Sequence, residues 1–495
     1  MLTVLLLGIL IVGLICLERW RSMKKKYALG QGPAKAVGQE FSFIKDPQVF
    51  DGFVENFQAL IRIPTVSWTD RSKRDPAQFV RFQDKLVELY PRVHQAMDVE
   101  RLGEFGLIYH WKGRDAGKKP VLFLAHYDVV PAEEKGGESW GEDPFSARIK
   151  DHVLWGRGTL DIKCQLAFQL ETAEQLLTRG FEPDRDIWFA YGGDEEISGQ
   201  EGAGKISARF EEQGLDFEFV LDEGGAIAQD QLAFLKGRPA ALVGLAEKGF
   251  VTFRLTAMGE SGHSSMPSSK GTAMGRLAKA ITRLESHPFS TRLDPVMANM
   301  LERFVPCISF PLGILFSNLW LTSPMIRFFF SRTKSTDSLI RTTQAVTVAR
   351  CGEQENILPS EASCLINHRI LPGDTIQSIA QRHVRTIKDP GITIEDAGNW
   401  PANNPIPASS TEGSGFTLVQ KVLETTHPGI VTVPFLVNGS TDSKYYANVT
   451  DQILRFTPLV MSPQDLASVH GVNEKVSLEN LRHGLHFYEQ LFLQL

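Results

Sequence analysis

The sequence predicts an α/β protein: a doubly wound, mainly parallel sheet that carries an inserted α+β domain. Three observations predict it. Short apolar runs, "VLFLA" (121–125), "DIWFAY" (186–191) and "FEFVLD" (217–222), recur in the first half and suit strands buried in a sheet. Between the first two lies "CQLAFQLETAEQLLT", in which Leu166, Leu170, Ala173 and Leu177 share one helical face. After Gly249 the texture changes: "VTFRLTA" (251–257) and "QAVTVAR" (344–350) alternate strictly, as half-buried antiparallel strands do.

Taken in order, the chain opens on "LTVLLLGILIVGLICL" (2–17), an uncharged run of signal-peptide length and shorter than a typical spanning helix. No Lys or Arg precedes it, and "ERWRSMKKK" follows. The run predicts entry into the secretory pathway, with the leader cleaved and the protein secreted, or with the leader kept as an anchor. Residues 1–45 read as this leader plus a linker, and 46–247 as the first part of a catalytic domain. Residues 248–396 read as an inserted α+β domain containing the helix-like "TAMGRLAKAITRLE" (272–285) and the strand-like "SCLINHRIL" (363–371). The stretch "NWPANNPIPASS" (399–410) reads as the linker back to a second catalytic part, 397–495.

The 495 residues exceed one ordinary domain, and 42% hydrophobic with 22% charged content is that of a globular protein. A formal net charge of -6 gives no reason to expect a nucleic-acid partner. The sequons at Asn438 and Asn448 fit the secretory route and suggest a glycoprotein. Beyond Cys16, the four cysteines Cys164, Cys307, Cys351 and Cys364 are widely spaced, so buried free thiols are expected rather than a disulfide framework. Cys351 with Cys364 is the one pairing that remains open.

The chemistry gathers where strands end. "FLAHYDVV" runs an apolar strand into His126 and Asp128, two positions apart and so on one face of an extended chain. An Asp beside a His ligand fixes its tautomer and raises its basicity. "GRGTLDIK" puts Asp161 in a Gly-rich turn, "YGGDEEISG" puts Asp194, Glu195 and Glu196 past a strand end, and "VLDEGG" does so for Asp222 and Glu223. "ASVHGVNEK" adds His470. Each alone is commonplace, since acidic residues after strands are usually solvated helix starts. Together, at the carboxyl ends of strands in one α/β sheet, they form a nitrogen and oxygen donor set suited to zinc or a similar divalent ion.

With these motifs the sequence resembles the peptidase M20 metallopeptidases, over nearly all the chain after residue 50. The resemblance implies two Zn2+ per chain: His126 and Asp222 on one ion, Glu196 and His470 on the other, and Asp161 bridging. It implies that Asp128 orients His126 and that Glu195 is the general base. In the inserted domain, "GESGHSSMP" supplies His263 as an oxyanion donor, and a homodimer through the lid would let it come from the neighbouring subunit. "ENILP" and "NHRILPG" supply Asn356 and Arg369 for the substrate carboxylate or oxyanion, and "GSTDS" supplies Ser440 and Thr441 for the substrate pocket. One departure is Cys164, where the family usually has Gly or Ser. It reads either as a small buried residue or as an oxidation-sensitive thiol near the site.

Residues 304–326, "FVPCISFPLGILFSNLWLTSPMI", carry no charge, and Pro306, Pro311 and Pro324 argue against a spanning helix. They read as buried core or dimer interface, or as an apolar groove that selects a fatty acyl chain or meets a lipid surface or lipoprotein. The leader, this segment and the C-terminal motif are similar to M20 members that cleave and form N-fatty-acyl amino acids. The rival expectation is a carboxypeptidase S-like enzyme acting on dipeptides. A non-catalytic lipid-binding protein on the same fold would lack a ligand or Glu195, and none is missing.

Overall fold

The computed structural model describes residues 2–28, 38–133, 139–269, 271–398 and 400–495. Residues 29–37 of the expected linker, and Asn399 at the head of the return linker, lie outside the described residues. Among the described residues the central sheet has ten strands. Their order is Asp98–Leu102, Gly106–Trp111, Ile187–Gly192, Val121–His126, Val220–Asp222, Ile453–Arg455, Ala240–Glu247, Ile227–Ala228 and Val460–Met461, and Val431–Val437 also pairs with Ala240–Glu247.

The centre of the sheet is parallel. Val121–His126 runs parallel to both Ile187–Gly192 and Val220–Asp222, and Val220–Asp222 runs parallel to Ile453–Arg455. Every residue from Val121 to His126 is buried because both faces are covered. Val121, Phe123 and Ala125 pack with the helices Lys163–Thr178 and Leu478–Phe492, whereas Leu122 and Leu124 pack with Ala203–Glu212. The Lys163–Thr178 helix is buried on more than the one face that its sequence suggests. It lies between the sheet and the Pro47–Ile61 and Leu478–Phe492 helices, which cover its remaining sides.

A second, four-stranded antiparallel sheet is ordered Thr343–Cys351, Glu361–Ile370, Gly249–Met258, Ile392–Asp396. Val251, Phe253, Leu255 and Ala257, alternate residues of one strand, pack with Leu277, Leu284, Ile379 and Ile387 of two helices. That period of two is what the sequence shows.

Residues 295–330 belong elsewhere. The helices Pro295–Arg303, Phe310–Ser317 and Leu319–Phe330 fold against the catalytic sheet, where Phe304 and Phe316 join Val431, Val433 and Leu436 in one apolar cluster. The strand Val431–Val437 lies at the sheet's margin, and these helices cover its apolar face. Pro311 sits in the first turn of its helix and Pro324 inside the next, and the two short helices part at Asn318. No helix among the described residues is long and apolar enough to cross a membrane. All five cysteines are free thiols, Cys351 and Cys364 included.

Candidate metal centre

Four loops at strand ends and one C-terminal loop meet at the centre. The strand Val121–His126 delivers His126, which is 1% exposed, with its Nδ1 3.0 Å from the Asp128 carbonyl and 3.3 Å from Asp128 Oδ1. Asp128 is held in turn by the Ser67 hydroxyl at 2.6 Å and by the backbone N–H groups of Glu195 and Glu196, each at 3.2 Å. Asp128 therefore ties the imidazole to the loop that carries the paired glutamates. With Nδ1 so engaged, Nε2 is left to face the centre.

Asp161 occupies the middle. Its Oδ1 lies 3.1 Å from His126 Nε2 and its Oδ2 lies 2.8 Å from His470 Nε2. His470 Nε2 is also 3.2 Å from Glu196 Oε2. Ligand-type atoms of His126, Asp161 and Glu223 gather within 4.8 Å of one another, as do those of Asp161, Glu196 and His470, and of His126, Glu195 and Glu196.

Of the two adjacent acids Asp222 and Glu223, the second lies nearer His126. Glu223 Oε1 approaches His126 Nε2 at 3.4 Å, whereas Asp222 Oδ2 accepts the Ser443 N–H at 2.9 Å. The strand ends at Asp222, and adjacent side chains of an extended chain point opposite ways, so Glu223 faces His126 while Asp222 turns toward Ser443. Glu223 was legible only as one of two adjacent acids.

Sequence reasoning also missed Glu474, which is fully buried. Its Oε1 accepts the N–H groups of Gly158 at 3.0 Å, Leu160 at 2.8 Å and Asp161 at 3.3 Å, and its Oε2 accepts from Arg157 at 2.6 Å. One carboxylate thus fixes the loop that presents Asp161, and it comes from the same C-terminal loop as His470. An acid four residues after a candidate ligand was its sequence signal.

The remaining expected residues are dispersed. His263 is exposed on a two-residue strand whose His263 pairs with Ile357, beside Asn356, and its Nδ1 accepts the Ser265 N–H at 3.1 Å. The Arg369 guanidinium lies over the Phe250 ring, 5.0 Å from its centroid. No hydrogen bond or ion pair among the described residues joins these to the centre. Thr441 is buried, and its N–H and hydroxyl donate to Glu247 at 3.0 and 3.1 Å. Glu247 also pairs with Arg455, so Thr441 joins a buried ion-pair network, while Ser440 is half-buried. Cys164 is buried 3.9 Å from the Leu160 carbonyl, and burial pushes its thiol up, away from the reactive thiolate.

Electrostatics expose the need for a cation. Burial, with the charge of Asp161 adding to it, raises the carboxyls of Glu196 and Glu223 to about 7. Burial likewise raises Glu195 well above its ordinary value. Hydrogen bonds to Asp161 and Glu196 raise His470 to about 10. Glu196 Oε1 is buried without a hydrogen-bond partner. Four carboxylates and two imidazoles of nitrogen and oxygen donors, one oxygen orphaned, fit divalent cations.

A stability prediction follows for chelated protein. Between about pH 4.5 and 7 folded Glu196 and Glu223 hold protons that the unfolded chain has released, so folding stability should fall as pH rises. The raised His470 continues that fall from about pH 6.5 toward 10. Restoring the metal should stabilise the protein most at the alkaline end. Thermal melts with and without chelator across this range measure it, and equal slopes would refute it.

Beside the centre lies an apolar cavity of about 220 Å³. Asp161 and Glu223 contribute to its wall, and Leu242, Phe435, Leu459, Met461 and Val469 line much of the rest. None of residues 304–330, expected as an acyl groove, lines it. Phe304 and Phe316 are instead core.

The site is thus a metal-type donor set at the strand ends of a mainly parallel sheet, with a second antiparallel sheet inserted in the chain. A model of the peptidase family M20/M25/M40 matches residues 122–494, and the chain belongs to this family. It is 37% identical over 432 residues to "Probable carboxypeptidase S-like 2" of Dictyostelium discoideum, covering 86% of this chain and 82% of that one. It is 36% identical over 442 residues to the "N-fatty-acyl-amino acid synthase/hydrolase PM20D1" of Xenopus tropicalis, covering 88% and 85%. The M20 family metallo-carboxypeptidase Sso-CP2 of Sulfolobus solfataricus shares the fold, with a TM-score of 0.62 at 16% identity over 89% of this chain and 98% of that one.

Proposed function

We propose that the protein is a two-metal amidohydrolase that cleaves, and reversibly forms, the amide bond of N-fatty-acyl amino acids. The observation that carries this reading is the apolar cavity walled in part by Asp161 and Glu223, where an acyl chain would lie with its carbonyl at the centre. His126, Asp161 and Glu223 would hold one ion and Asp161, Glu196 and His470 the other, and zinc suits these donors. Bound there, the ions would polarise the amide carbonyl and acidify the attacking water.

Glu195 is the proton carrier in this reading. Its carboxylate takes a proton from the water as the new C–O bond forms. It delivers that proton to the amide nitrogen as the C–N bond breaks, releasing fatty acid and free amino acid. Burial raises the Glu195 carboxyl well above its ordinary range, which suits a group that must both accept and donate. Asp128 and Glu474 position rather than react. His263 and Asn356, neighbours on the lid, would supply the oxyanion donor when the lid closes, from this chain or from a second subunit, and Arg369 would face the substrate carboxylate.

The sequence similarity to a carboxypeptidase S-like relative favours a second reading, in which the cavity takes an apolar side chain of a dipeptide. Measuring kcat/KM for N-acyl phenylalanines of increasing chain length, against a matched dipeptide, separates the two. Each methylene buried is worth about 0.8 kcal/mol, or roughly fourfold in kcat/KM, until the cavity is full. Ala226→Leu, which narrows the cavity, should abolish that gain while sparing an N-acetyl substrate. A flat chain-length profile with a better dipeptide rate would hand the assignment to the carboxypeptidase.

A further inference from the structure

The Leu2–Lys26 helix does not stand apart from the protein. Its C-terminal half is docked on the uncharged insert. Arg19 Nε donates to the Ser317 carbonyl at 3.2 Å, and Asn318 Nδ2 donates to the Cys16 carbonyl at 3.1 Å. Trp20 meets Phe310 edge-on at 4.8 Å, and a Cβ on Gly313 would come within 2.8 Å of Trp20 Nε1. The glycine lets the indole close on the insert.

The N-terminal half has no such partner. Leu6, Leu7, Ile9, Leu10, Ile11, Val12, Leu14 and Ile15 are each at least 38% exposed. At about 100° per residue these positions take in every side of the helix, so it projects from the body as an apolar rod. The insert continues this surface. Trp320 and Leu321 follow Asn318 closely, and Leu321, Met325, Phe328 and Phe329 form an exposed stripe at helical spacing. Cations flank both pieces: Arg19, Arg21, Lys24, Lys25 and Lys26 on the first helix, and Arg327 and Arg332 beside the phenylalanines, with Arg332 over the Phe328 ring at 4.3 Å.

We infer that the first helix is a retained part of the folded enzyme, and that with the insert it forms a monotopic platform seated in one leaflet of an anionic phospholipid bilayer. A protein groove would cover one side of a helix, whereas only a surrounding apolar medium satisfies a rod exposed on all sides. The helix is docked on the insert from Cys16 onward, so only residues 2–15 stand free, about 21 Å at 1.5 Å per residue, which is short of a hydrocarbon core of about 30 Å, and the rod enters without spanning. The basic residues then lie at the headgroup level, where anionic lipid attracts them.

The test needs no substrate, so it stands apart from the activity assigned above. The full chain is floated with phosphatidylcholine vesicles with and without phosphatidylserine. It should co-float, more strongly with the anionic lipid. Phe328→Asp together with Phe329→Asp should weaken flotation about tenfold or more while leaving turnover of a short N-acetyl substrate unchanged. Wild-type protein photolabelled from a diazirine phospholipid should carry the label within residues 6–15 and on the Leu319–Phe330 helix. Labelling confined to other segments, unchanged flotation of the double variant, or a mature chain that begins after Lys26 would overturn the inference.

Discussion

Glu195→Gln is expected to lower kcat by about 10²–10⁴-fold while leaving metal content at the wild-type level. The amide keeps the size of the side chain and loses the ability to carry a proton. The Glu195 carboxylate lies among the atoms of His126 and Glu196, close enough to serve a nucleophile held between them. Its neighbour should behave differently. Glu196 Oε2 sits 3.2 Å from His470 Nε2, so Glu196→Gln should reduce bound metal as well as rate. Metal analysis after gel filtration, read beside kcat, distinguishes the two, and the reverse pattern would exchange their roles.

The second large effect separates two adjacent acids. Glu223→Ala should lose metal and at least about 10² in activity, because it removes a donor facing His126. Asp222→Asn should keep full occupancy, since its carboxylate is spent on the Ser443 N–H, which an amide oxygen can also accept. Metal stoichiometry of the two purified variants decides the matter. Loss of metal in the Asp222 variant alone would restore the assignment read from sequence.

Much of the centre was legible because local pattern dictates which residues stand at strand ends. Buried strands must end in turns, and His126, Asp161, Glu195, Glu196 and His470 each lie in or beside such a turn in a chain whose alternation already specifies a parallel sheet. The strands of the second sheet were equally plain, since a period of two needs no knowledge of the partner. What local pattern cannot encode is direction once the chain leaves the sheet. Which of Asp222 and Glu223 lies nearer His126 depends on how the chain leaves its strand, and Thr441 is tied to Glu247, a residue 194 positions away.

The same limit governs the longest-range features. Asp161 is held by Glu474 across 313 residues of sequence, a contact that exists because the C-terminal loop returns over the strand ends. The prolines of the uncharged run 304–326 argued against a spanning helix, and the run folds as short helices. Sequence left open what would cover it. The apolar margin of the catalytic sheet at Val431–Val437 and the first helix of the chain pack against part of it, while none of the run lines the cavity beside the metal centre. Composition and period specify how much apolar surface each segment must bury, but only the packed sheet order determines which distant segment buries it.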